Sequence, residues 1–291
     1  MTHIAVLTKE VLEYLSPKSN ENMIDGTVGE GGHAKLILEK TGPDGKLLGI
    51  DWDETQAENS RKNLAEFGAR AVVVEGSYKD IKEITSAQDF EKINGILLDV
   101  GYSSWQIESS GKGFSFGKDE LLNMRYSHKN LLTAAEIVNQ WPEQEIEKII
   151  KEFGEEKFAR RIAKKITEAR EHKKIESTFE LKEIIEKAVF GRGKIHPATR
   201  TFQALRIAVN GELETLQRAL PQAFDVLERG GRLVVISFHS LEDRIVKNFF
   251  RDMVQQELAT ILTKKPVDAG EEEVSQNPRA RSAKLRAISK I

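Results

Sequence analysis

A glycine-rich turn near the start of the chain constrains its fold more than any other stretch. The apolar residues 23–24 lead into Asp25, a run with four glycines follows at 26–33, and residues 34–38 have apolar positions at helical spacing. This order predicts a strand, a tight loop and a helix. Glycine allows a positive φ and lets a ligand approach the backbone closely, although it costs conformational entropy. We therefore expect a ligand at this loop, and a purely structural turn is the alternative.

The acids around this turn indicate which ligand it binds. Dinucleotide-binding folds also begin with a strand, a glycine-rich turn and a helix, but the spacing here is Asp25-x-x-x-Gly29-x-Gly31 rather than G-x-G-x-x-G. A carboxylate at the end of the first strand would repel a pyrophosphate and attract an ammonium group. A second apolar run at 46–50 ends in Asp51, where nucleotide-binding folds of this type place an acid that binds ribose hydroxyls. Both acids favour S-adenosylmethionine, which has an ammonium group and no phosphate.

Further apolar runs predict a parallel sheet. We expect short strands at 71–74, 96–100 and 233–237, and a helical pattern at 55–67 lies between two of the earlier strands. This alternation implies right-handed crossovers between parallel strands. Two C-terminal runs, 261–267 and 285–291, would complete the sheet as an antiparallel pair.

The fourth and fifth of these strands are separated by more than a hundred residues, which is too long for a loop. Apolar residues recur at helical spacing in four parts of this gap: 133–138, 143–153, 155–169 and 178–189. We therefore predict an inserted, mainly helical domain at 108–205 that recognises the substrate. Residues 1–107 and 206–291 would form a discontinuous α/β domain. A long helical pattern at 202–227 leads from the inserted domain back to the fifth strand.

Composition is that of an ordinary soluble globular protein, with 291 residues of which 39% are hydrophobic and 31% charged. The absence of cysteine excludes disulfides, thiolate zinc sites and a cysteine nucleophile. The histidines are too scattered for a helical metal site, so we expect no metal. No apolar run is long enough to cross a bilayer and no signal peptide is recognisable, so we expect a cytoplasmic protein with no membrane partner. The net charge of -2 means that any nucleic-acid partner must bind to local positive clusters.

Several polar or aromatic residues end or follow predicted strands: Asp25, Asp51, Tyr78, Asp99 and His239. Ligands of open α/β sheets bind outside the carboxyl ends of the strands, so we expect these side chains to line one crevice. Each could be a loop residue that faces water, and it is their shared position that favours a site.

The chain resembles the ribosomal small-subunit RNA methyltransferase H family, also called MraW, over essentially its whole length. Its N-terminal half matches the family in blocks that include residues 3–7, 25–33, 49–51, 95–99, 103–104 and 113–116. The matching blocks of the remainder are 154–156, 196–206, 236–244 and 277–282. The chain departs from the family pattern at Ala5, Trp105, Lys112 and Asn123, while the blocks expected to bind the cofactor are intact.

The resemblance implies a class I, Rossmann-like methyltransferase sheet and S-adenosylmethionine-dependent N4-methylation of a decoding-centre (P-site) cytidine in the 16S rRNA of the small ribosomal subunit. By position, it places the family's cofactor contacts on Gly31, Gly32, His33, Asp51, Tyr78, Asp99 and Gln106. We add Asp25 and Gly29 to the expected cofactor contacts because they belong to the glycine-rich turn and the acid that precedes it. The oligomeric state stays open, with a homodimer as one alternative.

The chemistry of an exocyclic amino group points to Asp99. The lone pair of that nitrogen is delocalised into the ring, so an enzyme must hold an acceptor at the amino hydrogen. Enzymes of this fold that methylate amino groups use an Asp-Pro-Pro-Tyr type of motif, and the run from Asp99 to Tyr102 matches it in part. We expect Asp99 or the adjacent backbone to accept the hydrogen and Tyr102 to stack on the base. A cofactor-binding or helix-capping carboxylate is the alternative for Asp99.

His239 follows the fifth strand and either contacts base or phosphate or forms a hydrogen bond inside the crevice wall. Ser240 is predicted to cap the next helix, with Asp243 as its capping-box partner.

Positive residues predict an RNA surface in the inserted domain and another positive patch near the C-terminus. They cluster at Lys157, Arg160, Arg161, Lys164, Lys165, Arg170, Lys173 and Lys174, continue at Arg192, Lys194, His196 and Arg200, and recur at Arg279, Arg281, Lys284 and Arg286. The aromatic side chains available for stacking on an unpaired base are Trp105, Phe114 and Phe116. A solvated helix paired with its own acids, and aromatic residues in a core, are the alternatives.

Two other classes of function remain open at this point. An NAD-type oxidoreductase could use the same sheet, but the cleaner glycine fingerprint is missing. A catalytically silent RNA-binding assembly factor would bind rRNA without turnover. The acids Asp25, Asp51 and Asp99 argue against the first and, less strongly, against the second.

Overall fold

The computed structural model describes residues 5–101, 110–189 and 195–291. The chain forms two compact units, one of Met1–Gly101 with Leu213–Ile291 and the other of Tyr102–Glu212. Our expected boundaries were 107/108 and 205/206. The second boundary lies later, after Glu212, because Val209 is also buried in the core of the helical unit.

The first unit contains an eight-stranded sheet in the order β3-β2-β1-β4-β5-β8-β6, with β7 paired to β8. Its strands are β1 (Asn22–Asp25), β2 (Leu47–Asp51), β3 (Ala71–Glu75), β4 (Ile93–Asp99), β5 (Leu227–Ser237), β6 (Ala259–Ile261), β7 (Val267–Asp268) and β8 (Lys284–Lys290). Strands β1 to β5 are parallel, and β8 runs antiparallel to β5, β6 and β7.

The helices of the described residues are α1 (Thr8–Leu15), α2 (Gly32–Thr41), α3 (Glu54–Asn63), α4 (Ile81–Ala87), α5 (Ala134–Gln140), α6 (Glu143–Glu152), α7 (Ala159–His172), α8 (Thr178–Ala188), α9 (Ala198–Asn210), α10 (Glu212–Val226), α11 (Ser240–Gln255) and α12 (Glu271–Gln276). Short 3-10 turns occur at Ala65–Arg70, Tyr78–Asp80 and Pro278–Ser282.

The sequence predicted the strands well and some boundaries poorly. The long helix expected at 202–227 is two helices, because Gly211 takes a left-handed conformation with φ 59° and ends α9. The strand expected at 261–267 is split into β6 and β7, which both pair with β8. Strand β5 begins at Leu227, ahead of the predicted 233, and its register with β4 shifts between Ile93 and Gly95.

Both faces of the sheet are buried. Alternate residues of one strand enter different cores: Met23 lies in the cluster with α1 and α2, whereas Ile24 lies in the cluster with α10 and α11. In β4, Leu97 and Leu98 divide in the same way. Burial on two faces explains why these strands are continuous apolar runs in the sequence. The polar ends of the strands are therefore the places where functional side chains reach solvent.

The second unit has a core of its own, formed by apolar faces of α5 to α9, with Ile137, Ile146 and Ile162 fully buried. Capping boxes begin α5 and α8. The Thr133 and Ser177 side chains accept from the backbone N–H groups of Glu136 and Glu180, and the side chains of these two glutamates accept from the backbone N–H groups of Thr133 and Ser177. These local signals set where the helices start.

Candidate active site

The glycine-rich turn connects β1 to α2, and its conformation requires two of its glycines. Gly29 has φ 52° and Gly31 has φ 87°, both in the left-handed region that side chains disfavour. A Cβ at Gly31 would also lie 3.2 Å from Leu64 Cγ and Ser60 Oγ, on the packed side of the turn. A Cβ at Gly32 would lie 3.1 Å from Ala5 Cβ. Part of the glycine pattern therefore follows from backbone geometry and close packing.

Asp51 ties the turn to the end of β2. Its Oδ2 accepts a hydrogen bond of 2.9 Å from Gly29 N, and its Oδ1 accepts one of 2.9 Å from Asp53 N. Burial raises the pKa of Asp51 to about 7, against the lowering effect of these two backbone hydrogen bonds. The carboxylate is thus held in one orientation at the predicted ribose position, with lone pairs left for further donors.

Asp25 and Asp99 are joined through Thr27, a residue that our sequence analysis did not single out. Thr27 N donates to Asp25 Oδ1 at 3.1 Å, and Thr27 Oγ1 lies 3.4 Å from the same oxygen. The Thr27 hydroxyl also accepts a bond of 2.7 Å from Asp99 N. The Asp-x-Thr pattern of an Asx turn was the available sequence signal. Its link to a strand end 72 residues away could not be read from the sequence.

His33 faces the two carboxylates from the first turn of α2. Its Nε2 lies 3.7 Å from Asp99 Oδ2, which is an electrostatic contact and too long for a hydrogen bond. Burial raises the pKa of Asp25 to about 6, although His33 and the Thr27 amide lower it. Both His33 nitrogens and Asp99 Oδ1 are buried, and they have no hydrogen-bond partner within the described chain. Such unsatisfied atoms mark a place where a polar ligand would bind.

Tyr78 also lies beside the turn. It begins the 3-10 turn after β3, and a Cβ at Gly26 would be 3.2 Å from Tyr78 Cβ. The structure therefore brings the predicted residues Asp25, Gly29, Gly31, Gly32, His33, Asp51, Tyr78 and Asp99 to the strand ends of the first unit. Tyr102 and Gln106 lie outside the described residues.

His239 caps α11. Its Nδ1 accepts a bond of 3.4 Å from Glu242 N, and its Nε2 lies 3.1 Å from Glu242 Oε1. Glu242 Oε2 in turn accepts from the backbone N–H groups of Phe238 and His239. The prediction that Ser240 and Asp243 form the capping box was wrong by one residue, because the helix begins at Ser240 itself. Asp243 instead forms a two-pronged ion pair with Arg286, at 2.7 and 3.0 Å.

Several positive side chains of the predicted RNA surface have structural partners. Arg170 donates to the carbonyls of Val138 and Trp141 at the end of α5, and so supports the fold of the second unit. Lys164 and Lys165 both pair with Glu168 on the same helix, which agrees with the alternative of a self-paired helix. These pairs are exposed and therefore weak, so they leave the lysines able to exchange to a phosphate.

The predicted stacking residues differ in their surroundings. Phe114 is buried in the helical core and stacks on Tyr126 at 5.4 Å between ring centroids, as the alternative of a core residue expected. Phe116 stacks on His196 at 4.6 Å and meets Phe202 edge-on. Trp105, Arg192 and Lys194 lie outside the described residues.

Residues 1–291 of the chain match the MraW methylase family. The chain belongs to this family. It is 49% identical to the ribosomal RNA small subunit methyltransferase H of Geobacter sulfurreducens, an alignment of 309 residues that covers 100% of this chain and 99% of the relative. The protein of the same name from Syntrophotalea carbinolica is 45% identical, with 99% and 98% covered.

Among solved structures, a crystal structure from Clostridium thermocellum described as a candidate rRNA methylase superposes with a TM-score of 0.50 at 14% identity, covering 100% of both chains. That likeness concerns the fold alone, and it agrees with the predicted Rossmann-like sheet. Membership of the MraW methylase family confirms the resemblance found in the sequence, and with it the methyltransferase activity and the cofactor S-adenosylmethionine. Among the described residues, no helix has the length and apolar character that crossing a membrane requires.

The residues at the strand ends fit this cofactor. Asp25 and Asp51 offer carboxylates for an ammonium group and for ribose hydroxyls. His33 in α2 and Asp99 at the end of β4 add buried polar atoms that have no hydrogen-bond partner in the described part of the chain. S-adenosylmethionine supplies an activated methyl group on a sulfonium. The contribution of the chain is to orient that group and to exclude water.

Proposed function

We propose that this protein methylates the exocyclic N4 of a decoding-centre cytidine, at the P site of the 16S rRNA in the small ribosomal subunit. The products are N4-methylcytidine and S-adenosylhomocysteine. The observation that supports the proposal best is Asp99, at the end of β4 beside the glycine-rich turn, whose buried Oδ1 has no hydrogen-bond partner among the described residues. The names of the relatives support an rRNA substrate.

The cofactor contacts that we propose follow the strand ends. Asp51, already oriented by two backbone N–H groups, accepts from ribose hydroxyls, and Asp25 attracts the ammonium group. Gly29, Gly31 and Gly32 allow the backbone of the turn to come close to the cofactor. His33, Tyr78, Asp99 and Gln106 complete the proposed set.

Asp99 accepts a hydrogen from the amino group in this proposal. Removing electron density from the N–H bond makes the lone pair of the nitrogen more available for attack on the methyl carbon. The Asp99 N–H donates to Thr27 Oγ1 at 2.7 Å, and this bond holds the Asp99 backbone from which the carboxylate extends. We propose that Tyr102 stacks on the base and that His239 contacts base or phosphate, with positioning supplying much of the rate.

The second unit recognises the rRNA in this proposal. Exposed Lys157, Arg160 and Lys174 supply positive charge for phosphates, and Lys164 and Lys165 join them when their weak pairs with an acid open. Replacing Arg160 and Lys174 by glutamate should lower the affinity for rRNA and also reduce the slope with which that affinity falls as salt concentration rises. The same change at Arg170 would damage the fold, so it is not a test of RNA binding.

The test is methyl transfer to unmodified small ribosomal subunits from isotope-labelled cofactor, followed by digestion and mass spectrometry of the nucleosides. Label in N4-methylcytidine at one position is the expected result. Label in another nucleoside would refute the proposed target. Cofactor and rRNA binding without any label would favour a catalytically silent assembly factor.

Two variants assign roles within this assay. Asp99→Asn should lower turnover by about 100-fold or more if the carboxylate accepts the amino hydrogen. Turnover near that of the wild type, with unchanged cofactor affinity, would exclude this role. His239→Asn keeps a good capping residue for α11, so a loss of activity without a loss of stability would point to a substrate contact.

A further inference from the structure

A loop of the second unit, residues 123–130, is closed by the side chain of one arginine. Arg125 Nε donates to Asn123 Oδ1 at 2.9 Å, and Arg125 Nη1 donates to the carbonyl of Asn130 at 2.8 Å. The backbone N–H of Arg125 also donates to Asn123 Oδ1, at 3.2 Å. These bonds hold the guanidinium in one orientation, and they leave its Nη2 without a hydrogen-bond partner among the described residues.

The groups that hold this guanidinium are neutral. Asn123 supplies an amide oxygen and Asn130 a backbone carbonyl, and no carboxylate pairs with Arg125 in the part of the chain that the structure describes. The sequence from residue 121 to residue 135 contains no Asp or Glu. Arg125 is partly buried, so its charge is partly withdrawn from water without an acid to balance it. An anion from outside the chain would supply the missing partner.

The loop has further positive charge and a fixed position on the helical core. Lys112 Nζ donates to the carbonyl of Tyr126 at 3.1 Å, which places an ammonium group beside the residue that follows Arg125. Lys129 lies in the same loop and is exposed. Asn210 Oδ1, at the end of α9, accepts from the backbone N–H of Tyr126 at 2.9 Å. The positive groups are therefore presented from an ordered part of the second unit.

We propose that Arg125 binds a phosphate of the rRNA backbone, with Lys112 and Lys129 adding positive charge around it. Arginine forms strong charge-assisted hydrogen bonds to phosphate, and Nη2 is the donor left for one. S-adenosylmethionine has no phosphate, so the cofactor does not explain such a site. The inference rests on the proposed function for its rRNA substrate, and it adds a contact outside the positive clusters described above.

Asn123 has a definite part in this site. Its amide oxygen orients Arg125 without cancelling the charge, whereas a carboxylate at the same place would form an ion pair that competes with a phosphate. Position 123 is also one of those at which the chain departs from the family pattern. If Arg125 served only to close the loop, a carboxylate at position 123 would serve as well as an amide, and rRNA binding would not change.

The experiment changes the charge and keeps the loop closed. Asn123→Asp retains an oxygen acceptor for both N–H groups of Arg125 and adds one negative charge. We expect its affinity for protein-free 16S rRNA, measured by filter binding, to fall by about tenfold. The slope of log affinity against log salt concentration should decrease in magnitude by about one. Cofactor affinity and Tm should not fall, and an rRNA affinity and slope equal to those of the wild type would overturn the inference.

A matched control separates a local contact from a general effect of charge. Gln144→Glu makes the same change of charge at an exposed position of α6 and should leave rRNA affinity and slope unchanged. A loss in this control equal to that of Asn123→Asp would contradict the proposal, because the effect would not depend on Arg125.

A second variant gives the same information by a different route. Arg125→Gln should lower rRNA affinity by about tenfold in the wild-type background and by less than about twofold in the Asn123→Asp background, where the charge is already neutralised. Losses that simply add would show that the two residues act separately, and would refute the proposal. Thermal unfolding of each variant shows whether its fold is intact.

The source of the anion and the proposed function are tested by the choice of ligand. Variants that lose affinity for intact small subunits but not for protein-free rRNA would show that Arg125 meets an acidic protein, and the phosphate assignment would be wrong. A wild type that binds neither would contradict the proposed function instead. A wild type that binds rRNA, with variants that bind it equally well, would refute only the site at Arg125.

Discussion

Cofactor affinity should depend on pH through Asp51. In the proposed complex the ribose hydroxyls donate to the ionised carboxylate, while burial raises the pKa of this group to about 7 in the cofactor-free protein. Below about pH 7, binding therefore requires the Asp51 carboxyl to lose its proton. The apparent dissociation constant rises by the factor 1 + 10^(pKa − pH), which is about 11 at pH 6 and about 1.1 at pH 8. We expect affinity to be about tenfold weaker at pH 6, or about 1.4 kcal/mol.

The choice of ligand isolates this effect. Adenosine has the ribose hydroxyls and lacks the amino-acid part, so its pH dependence reports Asp51 alone. S-adenosylhomocysteine adds the ammonium group that Asp25 attracts in our proposal, and a pKa of about 6 for Asp25 adds about a further twofold at pH 6. Calorimetry in buffers of different ionisation enthalpy would measure affinity and proton release together. Asp51→Asn should bind adenosine weakly and independently of pH. Wild-type adenosine affinity that is flat from pH 6 to 8 would refute the reasoning.

The same pKa predicts the stability of the cofactor-free protein. A carboxyl whose pKa is raised from 3.8 to about 7 stabilises the fold when protonated. That contribution is complete below the unfolded-state pKa and is lost as pH rises through about 7. Asp51→Asn should remove this part of the pH dependence of Tm, and a variant with an unchanged profile would contradict the assignment.

Three further predictions concern the framework. Glu212→Gln breaks the buried pair in which Arg206 Nε and Nη2 each donate at 2.8 Å, and should cost about 3–5 kcal/mol in urea unfolding, whereas replacing both partners by apolar residues should cost less. Gly31→Ala should lose about 1–2 kcal/mol and weaken cofactor binding, while Gly68→Ala, also at positive φ but with open space around it, should lose stability alone. Thr27→Val removes the acceptor for a backbone N–H at the end of β4 and should cost about 1–3 kcal/mol in thermal unfolding, whereas Thr27→Ser should be near neutral.

Much of the α/β unit could be predicted from local patterns. Strands buried on both faces are continuous apolar runs, so β2, β3, β4 and the end of β5 were visible in the sequence. Their parallel order follows from the helices between them. The break at Gly211 was missed because a glycine inside an amphipathic pattern is compatible with a continuous helix until its φ is known.

The sequence by itself determined the family, the cofactor class and the placement of acids at strand ends, because each depends on residue spacing within short motifs along the chain. Only the tertiary structure decided which polar groups act together. Thr27 meets Asp99 across 72 residues, and Arg170 is committed to helix carbonyls rather than left free for RNA. Such pairings depend on how neighbouring elements pack, and a buried polar atom must find its partner wherever the fold places one. The contact between His33 and Asp99 has the same origin, since parallel register brings separate strand ends to one edge of the sheet.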